Sequence, residues 1–189
     1  LGALYQEGRG VDQDFSTAAS WYQKAAEQGH TTSRYQLGAL YQEGRGVDQD
    51  FSTAASWYQK AAEQGHTTSR YQLGALYQEG RGVDQDFSTA VSWHQKAAEQ
   101  GHAISQYQLG SLYQEGRGVR QDFSTAANWY QKAAWQGHAI SQYQLGLLYQ
   151  EGRGVRQDKS QAKEWFGKAC DRGDQNGCDA YRVLNELGC

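Results

Sequence analysis

The sequence predicts an all-α protein, an α/α solenoid, and three observations support this fold class. Residues 1–36 recur without change as residues 37–72, and modified copies follow. Within each copy the apolar residues are spaced at intervals of three and four, as in amphipathic helices. Strand-like alternation is absent, and a period of 36 residues is typical of stacked helix pairs. We therefore predict about 5.5 antiparallel helix pairs in one continuous array.

The array divides into five units and a short remainder. The units span residues 1–36, 37–72, 73–108, 109–144 and 145–180, and the fifth copy is the most diverged. No linker or shift in composition interrupts them, so we predict a single domain over residues 1–189, closed by a capping helix at about 175–187. Because residue 1 lies inside a repeated motif and is not Met, we expect a piece of a longer precursor.

Each unit predicts two helices, which the second copy illustrates. The segment 31–43 carries the apolar stripe of helix A, and Gly44 ends it because glycine readily adopts the left-handed conformation of a helix C-cap. Asp50 is the predicted N-cap of helix B, which runs for about 15 residues to Gly65. We expect Trp57 to fill the space between units.

Composition and charge exclude several classes of partner. The formal net charge is −3, which predicts no charge-driven binding to nucleic acid. No apolar run approaches the roughly 18–20 residues that a transmembrane helix needs, so we predict no membrane insertion. Six Trp and 13 Tyr residues argue against disorder.

The polar motifs predict no catalytic residue, metal or cofactor. Successive units stack about 8–10 Å apart, so the recurring histidines lie too far apart to share a metal with ~2 Å bonds. Those histidines are His30, His66, His102 and His138. The Gly-Arg-Gly loops lack the strand and the Lys-Ser/Thr of a phosphate-binding loop. His94 occupies a slot that is Tyr in other copies, which favours a packing role.

Two cysteines near the C-terminus predict a compartment. Cys170 and Cys178 lie on opposite sides of the turn at 172–175, at similar distances from it. Antiparallel helices bring such positions within disulfide range, and a disulfide predicts an oxidising location such as the periplasm or cell surface. The alternative is a pair of reduced, buried thiols. Cys189 is unpaired by count, and we expect a free thiol there or an effect of truncation.

The combined loop and helix motif resembles the Sel1-like repeat. The string Leu-Gly-x-x-Tyr-x-x-Gly-x-Gly-Val-x-x-Asp is followed by Ala-x-x-Trp-Tyr-x-Lys-Ala-Ala-x-Gln-Gly, and the likeness covers the whole chain. The resemblance implies a right-handed superhelix, related to tetratricopeptide repeats, with helix A lining its concave side. It also implies protein–protein contacts, often in exported or signalling bacterial proteins. The Lys-Ala-Cys-x-x-Gly context of Cys170 is similar to the Helicobacter cysteine-rich proteins, an exported, disulfide-bearing branch.

The resemblance therefore implies a non-enzymatic scaffold that binds a peptide or protein along helix A. Aligning the helix A motif with tetratricopeptide relatives places the expected contact residues at five slots, of which the first four are predicted in the later copies. They are Thr32, Tyr35, Ala39, Gln42 and Glu43; Thr68, Tyr71, Ala75 and Gln78; Ile104, Tyr107, Ser111 and Gln114; and Ile140, Tyr143, Leu147 and Gln150.

Two of these slots vary between units while the expected core barely changes. The slot of Thr32 becomes Ile in later units, and the slot of Ala39 becomes Ser and then Leu. Such variation is typical of a groove with graded specificity, but also of drift after duplication. Trp135 replaces the Glu of earlier copies and is predicted either to anchor a partner or to pack near the last unit.

Two other functions remain open at this point. The Helicobacter branch has been associated with binding or hydrolysis of β-lactams, which keeps an antibiotic-interacting enzyme as one alternative. Identical repeats favour a purely structural or designed array as another. In either case the disulfide and the resemblance predict an exported protein: periplasmic, on the cell surface or secreted.

Overall fold

The computed structural model describes residues 1–187, which form eleven α-helices and no strand. The predicted free thiol of Cys189 lies outside the described residues. The helices are α1 (Gly2–Glu7), α2 (Phe15–Glu27), α3 (Thr31–Glu43), α4 (Phe51–Glu63), α5 (Thr67–Glu79), α6 (Phe87–Glu99), α7 (Ala103–Glu115), α8 (Phe123–Trp135), α9 (Ala139–Glu151), α10 (Lys159–Asp171) and α11 (Gln175–Glu186). This all-α arrangement of helix pairs confirms the predicted fold class.

The helix boundaries follow the signals in the sequence closely. Helix α3 ends at Gly44 in the left-handed conformation, as predicted, and α11 ends one residue before the predicted limit of the capping helix. The prediction of about 15 residues for helix B was wrong, because each complete copy has 13. Gln64 and then Gly65, with φ of 91°, terminate α4 earlier than the apolar spacing alone indicates.

The N-termini of the two helix types are capped by different residues. The Asp50 carboxylate accepts hydrogen bonds from the Ser52 and Thr53 amides at 2.9 and 3.2 Å, which confirms its predicted role. The Thr53 hydroxyl also donates to it, and this bond is the main reason that the pKa of Asp50 lies below its usual value. His66 caps α5 through Nδ1, which accepts from the Ser69 amide at 3.2 Å.

The described chain forms two compact units, each larger than a repeat unit: the first is residues 1–93 and the second begins at residue 94. In the first unit, one apolar core forms between α2 and α3, and Trp57 of α4 packs against it. A second core forms between α4 and α5, against which Trp93 packs. Tryptophan therefore fills the space between successive helix pairs in this unit, as predicted. The single array over residues 1–189 stays a prediction.

Two glycines of the first unit allow close approach between elements. A Cβ on Gly38 would lie 2.8 Å from the Tyr58 ring, so glycine is what allows α3 to approach α4 this closely at that point. The backbone of Gly46, with φ of 74°, touches the backbone of Phe15. Next to it, the Arg45 guanidinium lies 3.9 Å from the Phe15 ring centroid. The Gly-Arg-Gly loop therefore packs against the start of the preceding helix B.

In the second unit, the core between α8 and α9 includes Trp165 of α10. A smaller cluster of Ala162, Phe166 and Leu184 joins α10 to the capping helix α11. The predicted disulfide is present: Cys170 and Cys178 are bonded, with Cα atoms 4.4 Å apart. Across residues 1–187, none of the helices combines the length and the apolar character that crossing a bilayer requires.

Candidate functional site

The first predicted contact slot is exposed or half-buried in every copy of helix A that carries it. Within residues 1–93, Thr32 is exposed and Thr68 is half-buried. In the second unit the slot carries Ile104 and Ile140, with 42% and 45% of their surface accessible. A large aliphatic side chain that keeps this much exposure has apolar surface left to bury against a partner.

The tyrosine slot is half-buried and packs between helices. The Tyr35 ring lies 5.9 Å from the Tyr58 ring and 4.8 Å from the His66 ring, measured between centroids. Burial, with the nearby Glu43 carboxylate as a second cause, raises the pKa of Tyr35 above its usual value. In the second unit, Tyr107 makes the corresponding contacts with the rings of Tyr130 and His138, whereas Tyr143 contacts the ring of Phe166. These rings support the helix A face and present only part of their surface.

The variable slot of Ala39 has a different explanation in each unit that changes it. The Ser111 hydroxyl donates to the Glu115 carboxylate at 2.8 Å, one turn along the same helix. Leu147 packs against the cluster that contains Phe166 and Leu184. The change to Leu at this position therefore fills space beside the capping helix, whatever else it contacts.

The glutamine slot contributes a buried acceptor. The backbone carbonyl of Gln42 accepts a hydrogen bond from Gln49 Nε2 at 2.8 Å, and Gln150 is bonded in the same way by Gln157. Within residues 1–187, the side-chain Oε1 atoms of Gln42, Gln78 and Gln114 are buried without a hydrogen-bond partner. Glu43 lies at the helix end in an exposed ion pair with Arg45, which contributes little to stability.

The remaining predicted residue, Trp135, is the most exposed large apolar side chain in the described chain, at 71%. It lies at the end of α8 and borders a cavity of about 350 Å³ between α8, α9 and α10. This cavity was missed by the sequence reasoning. The departures from the repeat at Trp135 and Arg172 were its only signal, since contacts between three helices are invisible to a single-helix pattern.

No metal site is assembled in the part of the chain that the structure describes: no group of three or more His, Cys, Asp or Glu side chains there could hold an ion. The recurring histidines instead cap helices, each with Nδ1 at 3.2 or 3.3 Å from a serine amide. His94 is buried in the second unit, and burial followed by the charge of His102 lowers its pKa to about 4.

One serine–lysine string stands in the last complete unit. Ser160 and Lys163 form a Ser-x-x-Lys sequence at the start of α10, the pattern of a serine nucleophile in some β-lactam enzymes. Ser160 is exposed. The adjacent cavity of about 390 Å³ is lined by Lys163 and Tyr181 but not by Ser160. The two side chains therefore do not share an enclosed pocket there.

Comparison with protein families matches five copies of the Sel1 repeat, at residues 1–30, 32–66, 68–102, 103–138 and 139–174. A search of curated proteins found no match.

Solved structures share this fold over nearly the whole chain. A Sel1 repeat protein from Oxalobacter formigenes is 32% identical with a TM-score of 0.86, over 99% of this chain and 74% of the other. A protective antigen of uropathogenic Escherichia coli with an SLR fold is 35% identical with a TM-score of 0.90. The match covers 99% of this chain but only 44% of the antigen, so the chain spans less than half its length.

The cysteine-rich branch is also represented among the similar structures. Helicobacter pylori cysteine rich protein B is 26% identical with a TM-score of 0.55, over 69% of this chain and 94% of that protein. The resemblance of the repeat motif is therefore confirmed, and the likeness to the cysteine-rich branch extends to a solved structure.

Proposed function

The chain belongs to the Sel1 repeat family, and we propose that it is a non-enzymatic scaffold that binds a peptide or protein partner along its helix A surface. Sel1 repeat proteins generally act as protein-interaction scaffolds. Three predicted contact residues in residues 94–187 keep apolar surface available for such a partner: Ile104 on α7, Ile140 on α9 and Trp135 on α8.

The exposed isoleucines are the observation that carries this proposal. Core positions of the same helices, such as Leu109 and Leu145, are buried, as are their counterparts in the first unit. The isoleucines instead replace threonine at a slot that contributes little to the core. A change from polar to apolar on an accessible surface has no benefit for packing, whereas it strengthens contact with an apolar partner.

We further propose that the protein is exported. The Cys170–Cys178 disulfide supports an oxidising compartment, because reducing systems keep such bonds rare in the cytosol. The likeness to the Helicobacter cysteine-rich protein supports the same location.

The test is affinity capture with the whole chain, followed by mass spectrometry of the retained proteins. The variant Ile104→Thr/Ile140→Thr restores the residue found at Thr32 and Thr68, so it is expected to fold. Losing two partly buried aliphatic contacts costs on the order of 1–2 kcal/mol, or about a 5–30-fold weaker Kd for the captured partner.

Val183→Thr is the matched control, because Val183 is also exposed but lies on the capping helix α11. It is expected to leave capture unchanged. Equal capture by wild type and the isoleucine variant would show that the partner uses another surface. Failure of the wild-type chain to retain any protein would favour a purely structural array.

A further inference from the structure

We propose that the cavity beside Trp135 is a binding pocket for a carboxylate-bearing peptide segment of the partner, a proposal that rests on the scaffold function above. The Trp135 pocket is defined by Trp135, Gln142, Trp165, Lys168, Asp171 and Arg172, and its volume is about 350 Å³. That volume is within the range of small-ligand sites. All of its walls belong to α8, α9, α10 and the turns beside them, within the second unit.

Two buried polar atoms in the pocket walls lack hydrogen-bond partners among residues 1–187. They are Oε1 of Gln142 and Nε1 of Trp165, and each residue is only 5% exposed. Nearly all buried polar atoms in native proteins are paired, so two exceptions in one cavity point to a ligand. One atom accepts and the other donates. A peptide group offers the complementary N–H and C=O.

The lack of a hydrogen-bond partner at Oε1 of Gln142 follows from a change in the repeat. In the preceding copy, Oε1 of Gln106 accepts a hydrogen bond from Gln136 Nε2 at 2.8 Å. The slot of Gln136 becomes Arg172 one unit later. The Arg172 guanidinium lies against Gly137 instead, since a Cβ built on Gly137 would be 3.0 Å from Arg172 Cζ. The same substitution therefore removes a donor from Gln142 and adds a cation to the pocket.

Arg172 is the cation left available for a carboxylate. Lys168 already has partners, because its Nζ lies 2.6 Å from the Glu164 carboxylate and 4.2 Å from the centroid of the Trp165 ring. Arg172 has no ion pair within the described residues, and it carries the planar group that binds carboxylates through two parallel hydrogen bonds. Asp171 also lines the cavity. Its negative charge disfavours a carboxylate beside it, so the ligand carboxylate has to lie next to Arg172.

Trp135 supplies the apolar part of the pocket. It replaces Glu27, Glu63 and Glu99 of earlier copies, and its indole is largely exposed at the cavity rim. An aliphatic side chain next to the bound carboxylate would pack on this ring. Tryptophan often contributes a large share of the binding energy at protein interfaces in this way. The recognised segment is thus an acidic residue beside an aliphatic one.

The experiment uses three pools of hexapeptides, mixed with the whole ¹⁵N-labelled chain and followed by NMR. The first pool has acetylated and amidated ends and a fixed Leu-Glu pair. The second has the same ends and a Leu-Gln pair, and the third has Leu-Gln with a free C-terminal carboxylate. The indole N–H signals, assigned with single Trp→Phe variants, report on Trp135 and Trp165 directly.

The Leu-Glu pool is expected to shift the Trp165 indole signal, and the Leu-Gln pool is not. Arg172→Gln and Trp135→Glu each restore the residue of an earlier copy, so both are expected to fold and to weaken binding about tenfold or more. Arg156→Gln removes the same charge from an exposed loop position and is expected to change affinity less than twofold. A shift from the third pool alone would support a terminal carboxylate as the source.

Three outcomes would overturn the pocket. These are no shift of the Trp165 signal by any pool, a shift by the Leu-Gln pool as large as that by the Leu-Glu pool, or equal effects of Arg172→Gln and Arg156→Gln. If the pocket fails while partner capture still depends on Ile104 and Ile140, the scaffold function stands and only this site is wrong.

Discussion

The Nε atom of Arg34 donates a 3.0 Å hydrogen bond to the carbonyl oxygen of Ala26, across the turn between α2 and α3. Every later unit joins the same two slots. The pairs are Arg70 with Ala62, Gln106 with Ala98 and Gln142 with Ala134, all at 3.0 Å, and finally Cys170 with Cys178. In the last copy a covalent bond thus replaces a hydrogen bond between the end of helix B and the start of the next helix A.

This replacement predicts a graded series of variants. Closing so short a loop stabilises the chain by about 2–3 kcal/mol in the chain-entropy model. Cys170→Ala/Cys178→Ala is expected to lose that amount, whereas Cys170→Ala/Cys178→Gln recreates the earlier pair and should regain about 1 kcal/mol. Hydrogen exchange of the α11 amides measures the local opening free energy. Equal exchange in the two variants would show that Gln at position 178 does not form the hydrogen bond that Gln106 and Gln142 form in earlier copies.

The oxidation state itself is open to direct measurement. In protein purified from an oxidising compartment, a thiol count under denaturing conditions should find fewer than three free thiols, because Cys170 and Cys178 are bonded. Three free thiols would contradict the disulfide and remove the main support for export. Added reductant should then leave the unfolding of α11 unchanged.

The fold was predictable because its signals are local and repeated. Gly44 ends α3 and Asp50 caps α4 through contacts within a few residues, and five copies of the pattern remove ambiguity. The histidine caps were not predicted. His66 is rarely expected at an N-cap, and its role depends on the position of Ser69 three residues later.

The candidate site was less predictable, because exposure depends on neighbouring helices. The sequence correctly indicated that the slot of Ile104 is accessible, but it could not show that Leu147 packs against the cluster that joins α10 to the capping helix. The Trp135 pocket needs three helices to be placed together. The sequence identified the substitution at Trp135, but it did not predict the cavity that Trp135 borders.

Burial of His94 predicts a pH-dependent stability. The pKa of His94 falls to about 4, chiefly because burial disfavours the charged imidazolium. Since the unfolded chain binds this proton more readily, the free energy of unfolding falls as pH decreases from about 6.5 to about 4. For this one group the loss amounts to about 3 kcal/mol.

His94→Tyr restores the residue that is buried at this slot as Tyr58 and Tyr130. We expect it to remove most of that pH dependence, and denaturant unfolding at pH 7 and pH 4.5 measures the difference. His30→Tyr is the control, since His30 is exposed at a helix start. If the free energy of unfolding of His94→Tyr changed with pH as much as that of wild type, the titrating group would be a residue other than His94.

The cap of α5 predicts a difference between two substitutions at one position. His66 Nδ1 accepts from the Ser69 amide, and asparagine can replace that acceptor whereas alanine cannot. Both variants lose the contact with the Tyr35 ring, so their difference isolates the cap. We expect His66→Ala to be less stable than His66→Asn by about 1 kcal/mol in denaturant unfolding at pH 7. Equal stability would mean that the Ser69 amide finds another acceptor.

Two mid-helix glycines, Gly38 of the Leu-Gly-x-x-Tyr motif and Gly167 of α10, predict opposite effects of substitution by alanine. In Gly38→Ala, the new methyl group would lie 2.8 Å from the buried Tyr58 ring and 3.3 Å from the carbonyl oxygen of Ala54. Neither can retreat inside a packed core, so we expect a loss of about 1–3 kcal/mol.

In Gly167→Ala, the nearest atoms are 3.3 Å away on the exposed ring of Tyr181, which can move. Alanine's higher helix propensity should then make the change neutral or stabilising by up to about 1 kcal/mol. Denaturant unfolding monitored by circular dichroism compares both variants with wild type. If Gly38→Ala proved as harmless as Gly167→Ala, the approach of α3 to α4 would not depend on glycine. The motif would then require another explanation at its second position.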